Sequence, residues 1–234
     1  MLIVPSFRIR TLVQSVMSHV LEASDFAALH PTRILRKQAA IQSAEFVTDH
    51  MQGALSFYTS RQVLAHALSE MKLSGLIVEF GAFKGGTIRY IAQDFPDRSV
   101  HGFDSFEGLP VAWEGTGHKR ESFHAGGKLP SVPKNVRLHK GLFDDTLPAW
   151  DKEHRDPIAF VHVDCDLYQS TRTILDILGP RLVPGVVMVF DDYFGYPGWQ
   201  QGEHKAFGEF IERTGRKFRY LCHAYQQVAV QITG

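Results

Sequence analysis

From residue 76 onward, short apolar runs alternate with segments long enough to form helices. Five such runs occupy residues 76–81, 99–104, 135–141, 157–164 and 185–191. The intervening segments predict helices at 86–93, 144–150 and 168–178. Strands that are apolar along their whole length are buried on both faces, which is typical of a parallel sheet covered by helices. We therefore predict an α/β fold with a mostly parallel sheet.

The two ends of the chain differ from this central pattern. Residues 217–225 and 226–233 follow a predicted helix at 204–214 and are expected to close the sheet in antiparallel orientation. The first 72 residues indicate helices at 9–21, 35–47 and 60–71, with Ser60 as an N-cap. The segment 50–60 between them is either a lid or a packed connector. We predict a helical cap over 1–72 and a Rossmann-like domain over 73–234.

Composition excludes several classes of protein. Lysine plus arginine number 25 and aspartate plus glutamate also number 25, so no basic excess indicates nucleic acid or an anionic membrane as partner. The two cysteines, Cys165 and Cys222, form no disulfide framework or metal-ligand spacing. The first ten residues lack the core of a signal peptide, and no stretch approaches the ~20 apolar residues of a membrane span. A cytoplasmic protein is the expectation.

Four carboxylates follow two of the predicted strands. Asp164 and Asp166 follow the run at 157–164, and Asp191 and Asp192 follow the run at 185–191. If these strands are neighbours, the four groups meet at one edge of the sheet, where they repel one another unless a proton or a cation is present. Hard oxygen ligands favour Mg²⁺, Mn²⁺ or Ca²⁺ over zinc. The alternative is that loop amides and helix starts satisfy these carboxylates.

A glycine-rich turn follows the first predicted strand. The stretch "EFGAFKGGT" contains Glu79, Gly81, Gly85 and Gly86, and the second strand ends in Asp104, a carboxylate suited to ribose hydroxyls. The spacing is not G-x-G-x-x-G, so a dinucleotide site is not indicated. A nucleoside ligand without phosphates fits better, and S-adenosylmethionine is the commonest. Glu79 suits contact with its cationic end.

Four motifs together resemble a known family. The stretches "VEFGAFKGGT", "GFDSFEGLP", "HVDCDLYQST" and "VFDDY" are similar to those of class I methyltransferases of the macrocin (TylF) type, over about residues 76–195. The resemblance implies a Rossmann-like methyltransferase fold, S-adenosylmethionine as methyl donor and Mg²⁺ dependence. That group contains O-methyltransferases acting on macrolide and aminocoumarin sugars.

The resemblance also implies roles for individual residues. The metal would be held by Asp164, Asp191 and Asp192, and Asp166 would be the general base. The stretch "KGLFDDTLP" resembles the loop on the adenine side. The cofactor-binding residues expected are Glu79, Gly81, Gly85, Gly86, Asp104, Ser105, Gly141, Phe143 and Asp144.

The resulting hypothesis is a metal-assisted O-methyltransferase. A bound divalent ion would lower the pKa of an acceptor hydroxyl, and a sugar diol would suit it because two neighbouring hydroxyls can chelate. A catechol or small-phenol methyltransferase, a nicotinamide-dependent oxidoreductase and a non-catalytic nucleoside-binding module are the alternatives. A homodimer is expected from the amphipathic segment 9–21. The long loop 106–133 and His204, which could assist the base, are left without an assigned role.

Overall fold

A computed structural model describes residues 16–17 and 29–234. The predicted helix at 9–21 therefore falls almost entirely outside the described residues. The helices are α1 (Pro31–His50), α2 (Ser60–Glu70), α3 (Gly86–Asp94), α4 (Phe143–Glu153), α5 (Tyr168–Leu178) and α6 (Glu203–Thr214). The strands are β1 (Leu55–Ser56), β2 (Leu76–Phe80), β3 (Val100–Asp104), β4 (Val136–Lys140), β5 (Ile158–Val163), β6 (Val187–Phe190), β7 (Phe218–His223) and β8 (Val228–Ile232).

The eight strands form one sheet in the order β1-β7-β8-β6-β5-β2-β3-β4. Strands β6, β5, β2, β3 and β4 are parallel neighbours, and β8 lies antiparallel between β6 and β7. The prediction of a mostly parallel sheet with an antiparallel closing strand is confirmed. From β2 the chain continues to β3 and β4 on one side, and it then crosses back to β5 on the other side of β2. In open α/β sheets, ligands bind beyond the carboxyl ends of the strands at such a point.

The central strands carry the core. Every residue of β2, β5 and β6 is buried, which explains why these runs are apolar throughout rather than alternating. Buried side chains form one apolar cluster on each face of the sheet. Across β2 and β3, Phe80 and Phe103 stack with ring centroids 5.1 Å apart. This packing makes the carboxyl ends of the strands a firm base for loop residues.

Three local details differ from the sequence-based expectations. Helix α2 is capped by Thr59, whose side chain accepts from the Gln62 amide, and not by Ser60. The segment 50–60 contains the short strand β1, which pairs with β7 at the edge of the sheet. Strand β5 ends at Val163, one residue before the end of the predicted run 157–164, so Asp164 lies in the following loop.

The loop 106–133 follows β3 and is irregular, as its composition indicated. Two isolated bridges, Glu107 to His124 and Trp113 to His118, fold it back on itself. The ring of Trp113 meets the ring of Tyr196 edge to face, with centroids 5.1 Å apart. The loop therefore packs against the segment that follows β6. Within the described part of the chain, no helix has the length and apolar character needed to cross a membrane.

Two glycine-to-alanine substitutions should act in opposite directions. Gly75 has φ +143°, and an added Cβ would lie 2.0 Å from the Pro157 carbonyl oxygen, where β2 begins to pair with β5. Gly75→Ala should lower the free energy of unfolding by about 2 kcal/mol or more because both the backbone and the contact are strained. Gly208 lies inside α6 with nothing near its Cβ position. Gly208→Ala should raise the free energy by about 0.5–1 kcal/mol.

Urea denaturation of both variants checks this prediction. Equal effects of the two substitutions would contradict the assignment of Gly75 to a close backbone contact.

Candidate functional site

The two acidic segments meet because β5 and β6 are parallel neighbours. Val163 is paired with Phe190 at the ends of these strands, and the Asp191 amide donates to the Val163 carbonyl at 2.8 Å. The Asp164 amide donates to the Phe80 carbonyl on the other side, also at 2.8 Å. The last hydrogen bonds of the sheet thus place Asp164 and Asp191 side by side. The expected adjacency of the two acidic pairs is present.

A cavity of about 400 Å³ opens at this edge of the sheet. Its walls include most of the predicted cofactor-binding residues and two of the predicted catalytic or metal-binding carboxylates. These are Gly81, Asp104, Ser105, Gly141, Phe143, Asp144, Asp164 and Asp166. Glu79, Gly85 and Gly86 do not line it. The structure therefore brings together residues from four different strand ends.

Gly81 is required where the first turn passes the second acidic segment. Its φ is +95°, and a Cβ would lie 1.6 Å from the Asp164 carbonyl oxygen. Only glycine fits both constraints without displacing the backbone. The absence of a side chain also leaves the floor of the cavity open beside Asp164. Gly81 thus allows the loop after β2 to pass close to the loop after β5.

Asp104 is held rigidly at the end of β3. Its Oδ2 accepts from the Phe83 amide at 2.6 Å and its Oδ1 accepts from the Phe106 amide at 2.5 Å. Burial raises the pKa of this carboxyl, and the two amide hydrogen bonds lower it in part. Each oxygen keeps a second lone pair that can accept from a ligand hydroxyl. This geometry suits the two hydroxyls of a ribose.

Glu79 belongs to a buried chain of polar contacts beneath the cavity, of which the Glu79–His162 contact is a hydrogen bond. Its Oε1 lies 3.0 Å from Nδ1 of His162, and Nε2 of His162 lies 3.6 Å from Oδ1 of Asp191. Burial is the largest influence on His162 and lowers its pKa, but the Asp191 and Glu79 carboxylates together raise that pKa well above its usual value. Burial raises the pKa of Glu79 as well, so Glu79 and His162 compete for a proton, and His162 orients Asp191 in the manner of groups that support metal ligands.

The carboxylates gather in two groups at the strand ends. One ligand atom each of His162, Asp164 and Asp191 lies within 4.8 Å of the others. Asp192 belongs with Asp166 and Glu203, whose charges add to burial in raising its pKa. Of the three predicted metal ligands, Asp164 and Asp191 have ligand atoms within this distance of each other, and Asp192 does not belong to this group.

Burial makes these carboxylates costly to ionise. It raises the pKa of Asp164 well above its usual value, and the Asp191 charge adds to the effect. It does the same for Asp192, where the Glu203 charge is the next cause. Burial also raises the pKa of Asp166 to about 6. Such shifts arise where like charges share a site removed from water.

The donor set fits a hard divalent cation. Several carboxylate oxygens converge, and among the described residues the ion pairs of this cluster involve only one cationic partner, His162. Oxygen-rich sites of this kind suit Mg²⁺, Mn²⁺ or Ca²⁺. A doubly charged ion would offset the repulsion that the raised pKa values reflect.

Asp166 has the backbone conformation of a loop residue. Its φ is +63°, a left-handed value that aspartate tolerates better than most residues. Its side chain is only 9% exposed and borders the cavity. The turn directs this carboxylate to the cavity wall although β5 has already ended.

Sequence reasoning missed two buried groups. His162 lies inside an apolar strand, and its polar character within that strand was the only signal. Glu203 is fully buried at the start of α6, and its Oε2 accepts from the Asp192 amide at 3.1 Å. Its neighbour His204 lies instead among aromatic rings, including those of Phe46 and Trp199. Burial and the neighbouring His50 lower the pKa of His204 to about 4.

A second cavity of about 220 Å³ lies on the other side of the Glu79–His162–Asp191 chain. The starts of α2 and α3 both border it, through Ser60 and Gly86. Arg61 also lines it, and its guanidinium sits over the ring of Tyr90 at 4.6 Å. Asp191 also lines it. The cavity lining therefore contains both a positive and a negative side chain.

Comparison with known proteins agrees with this geometry. Residues 78–193 match the family described as a methyltransferase domain. A tetracenomycin-C rhamnosyl 4'-O-methyltransferase of Streptomyces olivaceus is 36% identical over 51% of this chain and 53% of its own length. Demethyldecarbamoylnovobiocin O-methyltransferase of Streptomyces niveus is 32% identical over 53% of this chain and 54% of its own. The chain thus spans about half the length of these curated relatives.

A solved structure supports the fold assignment. The calicheamicin methyltransferase CalS11 superposes with a TM-score of 0.57 and 21% identity, covering 86% of this chain and 93% of that one. The predicted Rossmann-like class I methyltransferase fold is confirmed. The family match and the two relatives are similarities to methyltransferases. The narrower macrocin-type grouping stays a prediction.

Removing one charge from the cluster should stabilise the ion-free protein. Asp192→Asn keeps the size of the side chain and removes a buried negative charge. In EDTA its free energy of unfolding should rise by up to about 3 kcal/mol, since two charges ~5 Å apart repel by about that much at an effective dielectric of about 20. Thermal unfolding provides the measurement. The matched change at an exposed position, Asp97→Asn, should leave stability within about 0.5 kcal/mol. A less stable Asp192→Asn variant would contradict the repulsion.

Proposed function

Because residues 78–193 match the methyltransferase-domain family on a class I fold, we propose that this protein is an S-adenosylmethionine-dependent O-methyltransferase. Its acceptor is a hydroxyl of a sugar or a glycosylated natural product, and it requires a divalent ion, with Mg²⁺ as the first candidate. Asp166 is the general base. The observation that carries the proposal is the convergence of Asp104, Asp164 and Asp166 on one cavity.

The large cavity supports binding of the nucleoside. Asp104 offers both carboxylate oxygens toward ribose hydroxyls while two backbone amides hold it in place. Leu142 and Phe143 provide an apolar wall suited to a flat base. Phe143 is itself held edge to face against Phe80, with centroids 5.2 Å apart. The walls thus fit a nucleoside without phosphates.

The smaller cavity supports binding of the amino-acid end. Arg61 and the starts of α2 and α3 attract a carboxylate, because helix N-termini carry partial positive charge. Asp191, which also lines this cavity, attracts an ammonium group. A zwitterion carries both of these charges, and the methionine part of S-adenosylmethionine is one. Glu79, expected from the sequence to contact the cofactor, then supports this cavity through His162.

Asp164, Asp191 and Asp192 are the residues that would hold the divalent ion. When bound, such an ion lowers the pKa of an acceptor hydroxyl and neutralises the surrounding carboxylates. His162 keeps Asp191 oriented, and the Gln227 side chain donates to Oδ2 of Asp191 at 3.2 Å. Asp191 is therefore positioned by neighbours on both sides.

Asp166 receives the proton of the acceptor hydroxyl at a carboxylate oxygen while the new O–CH₃ bond forms. A positioned base of this kind contributes about 10²–10⁴-fold to the rate. When bound, S-adenosylmethionine supplies a methyl group whose leaving group is a neutral thioether, so the acceptor is the difficult partner. The loop 106–133, which contributes Leu109 and Phe123 to the cavity wall, limits access of water. A homodimer remains a prediction.

Methyl transfer should depend on Asp191 and on the ion. Asp191→Asn should abolish transfer from S-adenosylmethionine to a glycosylated acceptor, as should EDTA with the unaltered protein. Asp191 lines the smaller cavity and not the large one, so affinity for 5'-methylthioadenosine, which lacks the amino-acid end, should stay within a few-fold by calorimetry. Transfer assays with and without added Mg²⁺ give the measurement. Full activity in excess chelator would refute the role of the ion, and tighter binding of NADH than of S-adenosylhomocysteine would refute the enzyme class.

Asp166→Asn separates base chemistry from binding. This variant should lose about 10²–10⁴-fold in kcat, because proton removal is lost. Its affinities for Mn²⁺ and S-adenosylhomocysteine should remain close to those of the unaltered protein. Unchanged turnover would rule out Asp166 as the base.

Arg61→Met tests the smaller cavity. Loss of the guanidinium should weaken S-adenosylhomocysteine binding about tenfold, equivalent to about 1.4 kcal/mol. Binding of 5'-methylthioadenosine, which lacks the amino-acid end, should be unaffected. The exposed Arg36→Met provides the control. Equal weakening for both ligands would contradict the placement of the zwitterion.

A further inference from the structure

The large cavity is bordered on one side by the start of α4 and the first turns of α5. Asp144 lines it from α4, and Thr173 lines it from α5. The Thr173 hydroxyl donates to Oδ1 of Asp144 at 2.9 Å, although the two residues are 29 positions apart in the sequence. No step of the proposed reaction uses this hydrogen bond. Its place in the cavity wall points to a role in ligand binding.

The hydrogen-bond partner of Thr173 is not the usual one for a helical threonine. Inside a helix, a threonine hydroxyl can donate to the carbonyl four residues earlier on the same helix. Four other helical threonines of the described chain do so, namely Thr48, Thr146, Thr171 and Thr214. Thr173 donates instead to a side chain of a different helix. Its hydroxyl therefore acts on Asp144 and not on the backbone of α5.

The position of Asp144 relative to Asp104 determines which part of a nucleoside it meets. The Gly141 amide donates to the Asp104 carbonyl at 3.0 Å, so the two segments meet where β3 and β4 end. Leu142 and Phe143 follow and form the apolar wall, and Asp144 comes directly after them. A nucleoside with its ribose at Asp104 and its base on this wall therefore presents the edge of the base to Asp144.

A carboxylate at this edge distinguishes purines by the group at position 6. An ionised carboxylate accepts hydrogen bonds and donates none. Adenine carries a donating amino group at position 6, whereas hypoxanthine carries an accepting oxygen there. The hydrogen bond from Thr173 leaves Oδ2 and one lone pair of Oδ1 of Asp144 to accept from a ligand. The start of α4 also favours the negative charge of Asp144.

We propose that Thr173 is a positioning residue that orients Asp144, so that the large cavity selects adenine over hypoxanthine as the base of its ligand. The inference rests on the proposed function, because that function supplies the adenosine ligand. Asp144 accepts from the 6-amino group and determines the selectivity. Thr173 acts on the selectivity through Asp144, since a side chain that is already held loses less freedom when the ligand binds.

The test compares two ligands that differ only at position 6 of the base, S-adenosylhomocysteine and S-inosylhomocysteine. By calorimetry, the unaltered protein should bind the adenosyl ligand at least about tenfold more tightly, because the inosyl ligand loses a hydrogen bond to a charged group. Thr173→Val keeps the shape of the side chain and should weaken the adenosyl ligand about three- to tenfold, because Asp144 must then be ordered on binding. The inosyl ligand should not be weakened, so the ratio of the two affinities falls.

Three further variants define the cause of this change. Thr173→Ser retains the hydroxyl and should keep the ratio within about twofold of the original. Asp144→Asn offers both a donor and an acceptor, so it should bind the two ligands within about threefold of each other. Thr48→Val removes an exposed helical hydroxyl of α1 and serves as the matched control. It should alter neither affinity.

An unchanged ratio in Thr173→Val would overturn the proposal. So would an equal loss of affinity for both ligands, since that indicates general damage to the cavity. A ratio in Thr173→Ser as low as that in Thr173→Val would show that the hydroxyl is not responsible. Equal binding of the two ligands by the unaltered protein would refute the selectivity itself.

The inference and the proposed function can fail separately. An unaltered protein that binds S-adenosylhomocysteine but methylates no glycosylated acceptor would contradict the proposed reaction, and the affinity ratios of the variants would still decide the role of Thr173. An unaltered protein that does not bind S-adenosylhomocysteine would refute both.

Discussion

The parallel pairing of β5 with β6 is the constraint from which the carboxylate cluster follows. Because both strands run in the same direction, the residues that leave them emerge at the same edge, within a strand spacing of one another. Apolar residues inside both strands bury them on both faces and hold this register. The acidic residues come directly after those apolar residues, so their proximity is a consequence of the core.

Proximity has an electrostatic cost that the surrounding structure offsets only in part. His162 lies against Asp191, two backbone amides donate to Asp104, and the Asp192 amide donates to Glu203. These contacts do not offset the whole cost of burying the carboxylates, and the pKa values of Asp164 and of Asp192 are therefore raised. Such a cluster lowers the free energy of unfolding, as is common for active sites and other ligand-binding sites.

The sequence predicted the fold well because the apolar runs carry their own signal. The lengths of the runs and the helices between them were sufficient for a parallel sheet, and the comparison with solved structures confirms the fold. The site was predicted less completely. Asp104, Asp164 and Asp166 line the expected cavity, but Glu79 lies beneath it, and Glu203 had no signal because its partner, the Asp192 amide, is 11 residues away in sequence. A side-chain contact to a distant backbone amide cannot be predicted from the spacing of residues in the sequence.

The sequence by itself determined which residues could be strands, where glycine was needed, and that two acidic pairs follow two buried strands. Those properties depend on hydrophobic periodicity and backbone sterics, which are local. Only the tertiary structure decided that His162 lies between Glu79 and Asp191, and that the Asp192 amide donates to Glu203. The first depends on which strands are neighbours in the sheet, and the second on how α6 packs against the loop that follows β6.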